Sequence, residues 1–163
     1  MQYNPVVKQI TDLLEKNNCE FKTFEHAPVT TSEEAAKLRP EYSLHQGAKA
    51  IIVRITLKDG QESFGMLVFP ADLKFKSGLA KKALGAKELS FATEAEIARI
   101  TNGVERGGVP PFGNLFKLHV VADESLFENE KIIFNAGDRS FSIAMNSADY
   151  KKIVQPDVAK IVE

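Results

Sequence analysis

Lys49-Ala50-Ile51-Ile52-Val53-Arg54-Ile55-Thr56-Leu57, followed by Phe64-Gly65-Met66-Leu67-Val68-Phe69-Pro70, decides the fold class. Both stretches are apolar and rich in β-branched or aromatic residues, and a hairpin-like link joins them, so they read as strands. Further runs of the same kind lie at 116–122, 131–135 and 140–145, with a short one from Phe21 to Phe24. Helical patterns separate them. Asn4 before Pro5 is an N-cap with proline at the first helical position, and Val6, Val7, Ile10, Leu13 and Leu14 recur at helical spacing, which predicts a helix over 5–18. Thr31 with Glu34 and Thr93 with Glu96 have capping-box spacing, so helices should begin near Ser32 and Glu94. Gly85 and Asn102-Gly103 are helix stops, and a last helix should start near Ser147. No repeat, low-complexity tract or Pro/Ser-rich linker divides residues 1–163. A single α/β domain with a mixed sheet follows.

Composition bounds the function. A chain of 163 residues with 44% hydrophobic content can bury one sizeable core without disulfides. The single cysteine, Cys19, has no partner within the chain, and no apolar run has the length of a signal peptide or a membrane span. A soluble protein of the cytoplasm is the expectation. The net charge of −1 argues against nucleic-acid binding through the overall field, and DNA is not an expected partner. One local patch stands out: Lys74, Lys76, Lys81, Lys82 and Lys87 carry no acidic residue among them. It fits either phosphate contacts or a solvated helix face. His26, His45 and His119 lack the spacing of zinc ligands, and no nucleophile elbow, Walker loop or dinucleotide fingerprint is present. Neither a metal nor a cofactor is expected.

Gly107-Gly108-Val109-Pro110-Pro111-Phe112-Gly113 packs three glycines and two prolines into seven residues. Proline fixes φ and glycine admits positive φ, so the segment is either a stiff, pocket-forming loop with exposed amides or a turn between a helix and a strand. The order in which it occurs is more specific: Phe24-Glu25-His26, Thr31-Ser32-Glu33-Glu34-Ala35-Ala36, Gly47-Ala48-Lys49-Ala50, the G-x-x-x-P-F-G loop, then Asn135-Ala136-Gly137 ahead of Ser142-Ile143. From about residue 5 to residue 154 this series resembles the aminoacyl-tRNA deacylases related to the editing domain inserted in bacterial prolyl-tRNA synthetases.

The resemblance implies a curved, barrel-like mixed sheet flanked by helices. It also implies a substrate: a small amino acid, with alanine, cysteine and serine all admissible, esterified to the terminal ribose of a mischarged tRNA, most simply proline tRNA. Lys49, at the mouth of an apolar strand, would face the pocket and stabilise developing negative charge. The loop amides from Gly107 to Gly113 would clamp the adenosine or take the carbonyl, with Gly107 and Gly108 as catalytic residues and Val109, Pro111, Phe112 and Gly113 binding substrate, and His26, Thr30, Gly137 and Ser142 would line the remaining wall. A covalent nucleophile is not required, because the ester is already activated and the free ribose hydroxyl can orient water. Two residues depart from the family pattern. Ser142 stands where some relatives are acidic, and Ala50 stands where relatives that remove alanine often carry a polar residue. Aminoacyl-tRNA is the implied partner, with a synthetase as a second candidate. A non-catalytic module that binds tRNA or a synthetase through the same pocket is the alternative from another class.

Overall fold

A computed structural model describes residues 2–29 and 31–163. Helix α1 (Pro5–Lys16) starts as its sequence dictates: the Asn4 side chain accepts from the Val6 N–H at 2.9 Å and Pro5 occupies the first turn. Its apolar stripe buries Val6, Val7, Ile10 and Leu14, and complete burial of Ile10 and Leu14 contributes roughly 2 kcal/mol each. The remaining elements are β1 (Phe21–Glu25), α2 (Ser32–Leu38), β2 (Ala48–Thr56), β3 (Glu62–Pro70), α3 (Ser77–Leu84), β4 (Glu88–Phe91), α4 (Glu94–Thr101), β5 (His119–Asp123), β6 (Lys131–Asp138), β7 (Phe141–Asn146), α5 (Ser147–Val154) and β8 (Asp157–Ala159).

The strands form two sheets. A three-stranded antiparallel sheet has the order β1-β7-β6, and a five-stranded mixed sheet has the order β4-β2-β3-β5-β8. Pairs β2/β3 and β2/β4 are antiparallel, whereas β3/β5 and β5/β8 are parallel. Among the described residues a single bridge, Gly47 to Ile133, links the sheets, so the expected barrel is not closed although the α/β class holds. Strand β3 is apolar without alternation because both its faces are covered. Met66 and Val68 join the main core with α1, β6 and β7, while Leu67 and Phe69 pack with Ala80 of α3 and with Ile161 and Val162.

Several boundaries differ from the sequence expectation. Helix α1 stops at Lys16, and β5 begins at His119 because Gly113–Phe116 is a 3-10 helix ended by Lys117 in the left-handed region. Strands β4 and β8 were not expected at all. Gly85 and Asn102 end α3 and α4 with positive φ, as their sequence positions predict. Among the described residues no helix is long and apolar enough to cross a membrane.

Asp123 fastens the C-terminal segment to this framework. It is 1% exposed, and its carboxylate accepts from the N–H groups of Ile161 at 2.7 Å, Val162 at 3.2 Å and Ser125 at 2.9 Å, and from the Ser125 hydroxyl. Burial alone would raise its pKa, but these four donors together hold it below the usual carboxylate range. A depressed folded-state pKa contributes stability that is present above the unfolded value and lost as pH falls through the folded one. Asp123→Asn places an amide donor where one oxygen now accepts, and it should cost about 3 kcal/mol at neutral pH. Denaturant titrations at pH 7 and at successively lower pH should show the gap between wild type and variant narrowing once pH falls below the ordinary carboxylate range, and closing only below the depressed folded-state value.

Candidate functional site

A cavity of about 500 Å³ opens between α2, the start of β2, the ends of β4 and α4, the 106–109 segment and β6. That size lies within the ~300–1,000 Å³ common for small-molecule sites. Strand alternation delivers its lysine: Ala48 is buried and Lys49 beside it is exposed to the cavity. The Lys49 side chain makes no hydrogen bond or ion pair among the described residues.

The glycine-rich loop is docked on an irregularity of β6. Register shifts between Asn135 and Asp138, and Gly137 takes φ +101°. The loop meets this bulge edge to edge: the Gly137 N–H donates to the Gly108 carbonyl at 2.8 Å, and Asn135 Nδ2 donates to the Gly107 carbonyl at 2.7 Å. From below, the buried Tyr150 hydroxyl donates to the Pro111 carbonyl at 2.6 Å. Gly107 and Val109 reach the cavity, and their N–H groups donate to nothing among the described residues.

Behind the cavity lies a polar cluster centred on the Ser142 hydroxyl. Arg39 Nη1 donates to it at 3.0 Å, His26 Nε2 lies 2.7 Å away, and Asn135 Oδ1 lies 3.2 Å away. His26 Nδ1 faces the Ala27 carbonyl at 2.9 Å and must carry a proton there, so in the neutral ring Nε2 accepts from Ser142. The Ser142–His26 distance suits a nucleophile and its base. Ser142 nevertheless has no exposed surface and does not line the cavity, so the pair offers an acceptor oxygen to Arg39 rather than attacking a substrate.

Of the residues named from sequence, Lys49, Gly107 and Val109 line the cavity. Gly108 is buried behind Gly107, and its amide is already donated to the Glu105 carbonyl at 2.9 Å. Phe112 is fully buried between Phe134 and Tyr150, so it is a core residue and not a pocket wall. Pro111 and Gly113 are buried beside it, and a Cβ on Gly113 would lie 2.5 Å from Val120 Cγ2. Gly137, Ser142 and His26 stand behind the wall and shape it. Thr30 lies outside the described residues. Cys19, at the end of α1, is half-buried, and burial pushes its thiol up, away from nucleophilic use.

Arg39, Phe91, Arg106 and Asn135 also line the cavity, and sequence reasoning assigned them no role. Phe91 is 62% exposed, and its ring meets Phe75 edge-on at 5.8 Å. Phe75 stands between Lys74 and Lys76 in the chain, so the lysine-rich segment adjoins the cavity mouth. Among the described residues no group of three or more His, Cys, Asp or Glu is placed to hold a metal ion.

A family model described as the aminoacyl-tRNA editing domain matches residues 26–153. The chain is 31% identical over 152 residues to the multifunctional Ser/Thr-tRNA deacylase ProXp-y of Escherichia coli K12, covering 93% of this chain and 89% of that protein. It is 26% identical over 122 residues to the proline–tRNA ligase of Ralstonia nicotianae, of which it spans 21%. The crystal structure of a candidate trans-editing enzyme for prolyl tRNA synthetase superposes with a TM-score of 0.81 at 21% identity, covering 99% of both chains, and so shares the fold.

Gly137 is the position on which the loop's docking depends. A Cβ there would lie 2.8 Å from Val6 Cβ, in a backbone conformation that L-residues avoid, whereas one at Gly85 (φ +64°) meets open space. Gly137→Ala should lose about 3 kcal/mol from strain plus overlap, and Gly85→Ala about 1 kcal/mol, in chemical denaturation.

Proposed function

The chain belongs to the aminoacyl-tRNA editing domain family and is an aminoacyl-tRNA deacylase; we propose that it acts in trans on tRNA bearing a small, hydroxyl-containing amino acid. The observation that carries this reading is the composition of the cavity wall. Lys49, whose ammonium has no partner among the described residues, and Gly107 and Val109, whose N–H groups donate to nothing among them, line one space, and Asn135 supplies a polar end to it. A mischarged amino acid with a hydroxyl finds a hydrogen-bonding partner at Asn135, which a purely apolar pocket lacks. The related ProXp-y of Escherichia coli is named for seryl and threonyl substrates, which agrees with this choice.

The chemistry asks little of the protein beyond position. Water adds to the ester carbonyl, the oxyanion is met by fixed donors, and the ribose oxygen leaves with a proton. Lys49 supplies positive charge at the mouth, and the loop amides supply neutral donors. Neither Ser142, which is buried, nor Cys19 lines the cavity, so neither is placed to be a covalent nucleophile. Phe91 and Arg106 at the rim suit the terminal adenosine: an exposed ring offers a stacking face, and the lysines beside Phe75 suit the adjoining phosphates. The link to prolyl-tRNA synthetase is through its editing domain, and proline tRNA is among the acceptors we expect.

Hydrolysis of seryl-, threonyl-, alanyl- and cysteinyl-tRNA by wild type should favour the two hydroxyl amino acids, and Lys49→Ala should lower kcat/KM by about 100-fold. Absence of turnover with every member, from folded protein, would replace the enzyme by a binding module. Phe91→Ala should raise KM for aminoacyl-tRNA by about 10-fold, corresponding to one lost stacking contact, with kcat little changed and with Phe91→Trp restoring affinity.

A further inference from the structure

Arg39 is the anomaly of this molecule. Arg54 pairs with Glu62 and Glu96, Arg106 with Glu94, and Arg139 with Glu105, all of them at least partly exposed. Arg39 is only 8% exposed, and its described partners are both neutral. Nε donates to the Ala35 carbonyl at 3.2 Å, and Nη1 donates to Ser142 Oγ at 3.0 Å. Desolvation by burial pulls the guanidinium down to about 10, with no acid countering it, and it is still a cation at neutral pH. A buried charge held only by neutral acceptors among the described residues is costly, and Arg39 is one of the residues that line the cavity.

We propose that Arg39 is the oxyanion-binding residue of the cavity, meeting the negative charge that forms on the ester carbonyl oxygen and then the carboxylate of the released amino acid. This inference rests on the deacylase reading. The ester is neutral; water addition moves the carbonyl π electrons onto oxygen, and collapse breaks the bond to ribose, whose oxygen takes a proton. The amino acid departs as a carboxylate and a proton passes to solvent. A guanidinium therefore gains little from the bound ester and much from the transition state, which is the condition for raising kcat rather than affinity. A tRNA phosphate is a poorer match, because its flanking sugars cannot follow it to a side chain this deeply buried. Glu33, in the first turn of α2, also lines the cavity and supplies the complementary charge for the α-ammonium. Helix α2 and its C-cap Arg39 thus present an anion and a cation to the two charged ends of one amino acid. The Ser142–His26–Asn135 cluster fixes the guanidinium so that no reorganisation is needed as charge develops.

The test is direct binding to the full chain without RNA, by calorimetry and by the Arg39 Nε–H resonance, using L-serine and L-threonine, their carboxamides, and inorganic phosphate. Wild type should bind each carboxylate about ten-fold more tightly than its carboxamide, as a charge-assisted pair requires. Arg39→Met should abolish that preference, and Arg39→Lys should restore part of it. In turnover, Arg39→Met should lower kcat by about 100-fold with KM changed by less than about 3-fold. Equal affinity for carboxylate and carboxamide in wild type, persistence of the preference in Arg39→Met, or phosphate binding more tightly than either carboxylate overturns the proposal. Should Arg39→Met fail to fold, wild type and Arg39→Lys decide it. A carboxylate preference without any aminoacyl-tRNA turnover would sink the deacylase reading and leave the anion site standing.

Discussion

The close approach of three backbone segments at Gly137 is the constraint from which the site descends. Helix α1 crosses β6 so closely that no side chain fits at this position, and the left-handed φ there breaks the ladder with β7. The broken ladder frees a backbone N–H for the Gly108 carbonyl and leaves Asn135 able to reach both Gly107 and Ser142. A regular strand would satisfy those groups within the sheet, and the loop would have nothing to dock on. The bulge thus converts a sheet edge into a mount for the loop that closes the cavity.

Rigidity in this mount is unevenly distributed. The far end of the loop is held in the core by Phe112 and by the Tyr150 hydroxyl, which burial pushes up and keeps protonated as a donor. The near end is held by hydrogen bonds to a bulge. Val109, whose N–H donates to nothing among the described residues, lies between these anchors. A donor held from both sides is preorganised.

Local chemistry was readable from the sequence to the extent that it is local. Asn4-Pro5, Thr93 with Glu96, Gly85 and Asn102 announced helix ends because capping involves only neighbouring residues. Lys49 was visible as a charge at the start of an apolar run. Strands β4 and β8 were not, since Glu88-Leu89-Ser90-Phe91 and Asp157-Val158-Ala159 are short and largely exposed, and their strand character comes from β2 and β5. The stiffness of the loop is legible in its glycines and prolines, yet which of its residues face the cavity depends on the core that Phe112 enters. In the sequence Arg39 does not stand out, because a cation at the end of a short helix already has an explanation in the helix dipole. Only tertiary burial removes its solvent and makes it unusual.

Strand β1 pairs Phe21 with Met145 and Glu25 with Phe141, contacts that join opposite ends of the chain. During synthesis β1 emerges long before β7, its only described partner, and its hydrogen-bonding edge stays open while most of the protein is still being made. Non-local pairing of this kind slows folding. The composition of the strand is suited to the wait: Lys22, Thr23 and Glu25 are polar and exposed, and only Phe21 and Phe24 are large and apolar. Charges of both signs along a temporarily unpaired edge discourage it from recruiting a neighbouring nascent chain. The same strand leads into His26 and so into the polar cluster behind the cavity, which makes the site one of the last parts of the molecule to assemble.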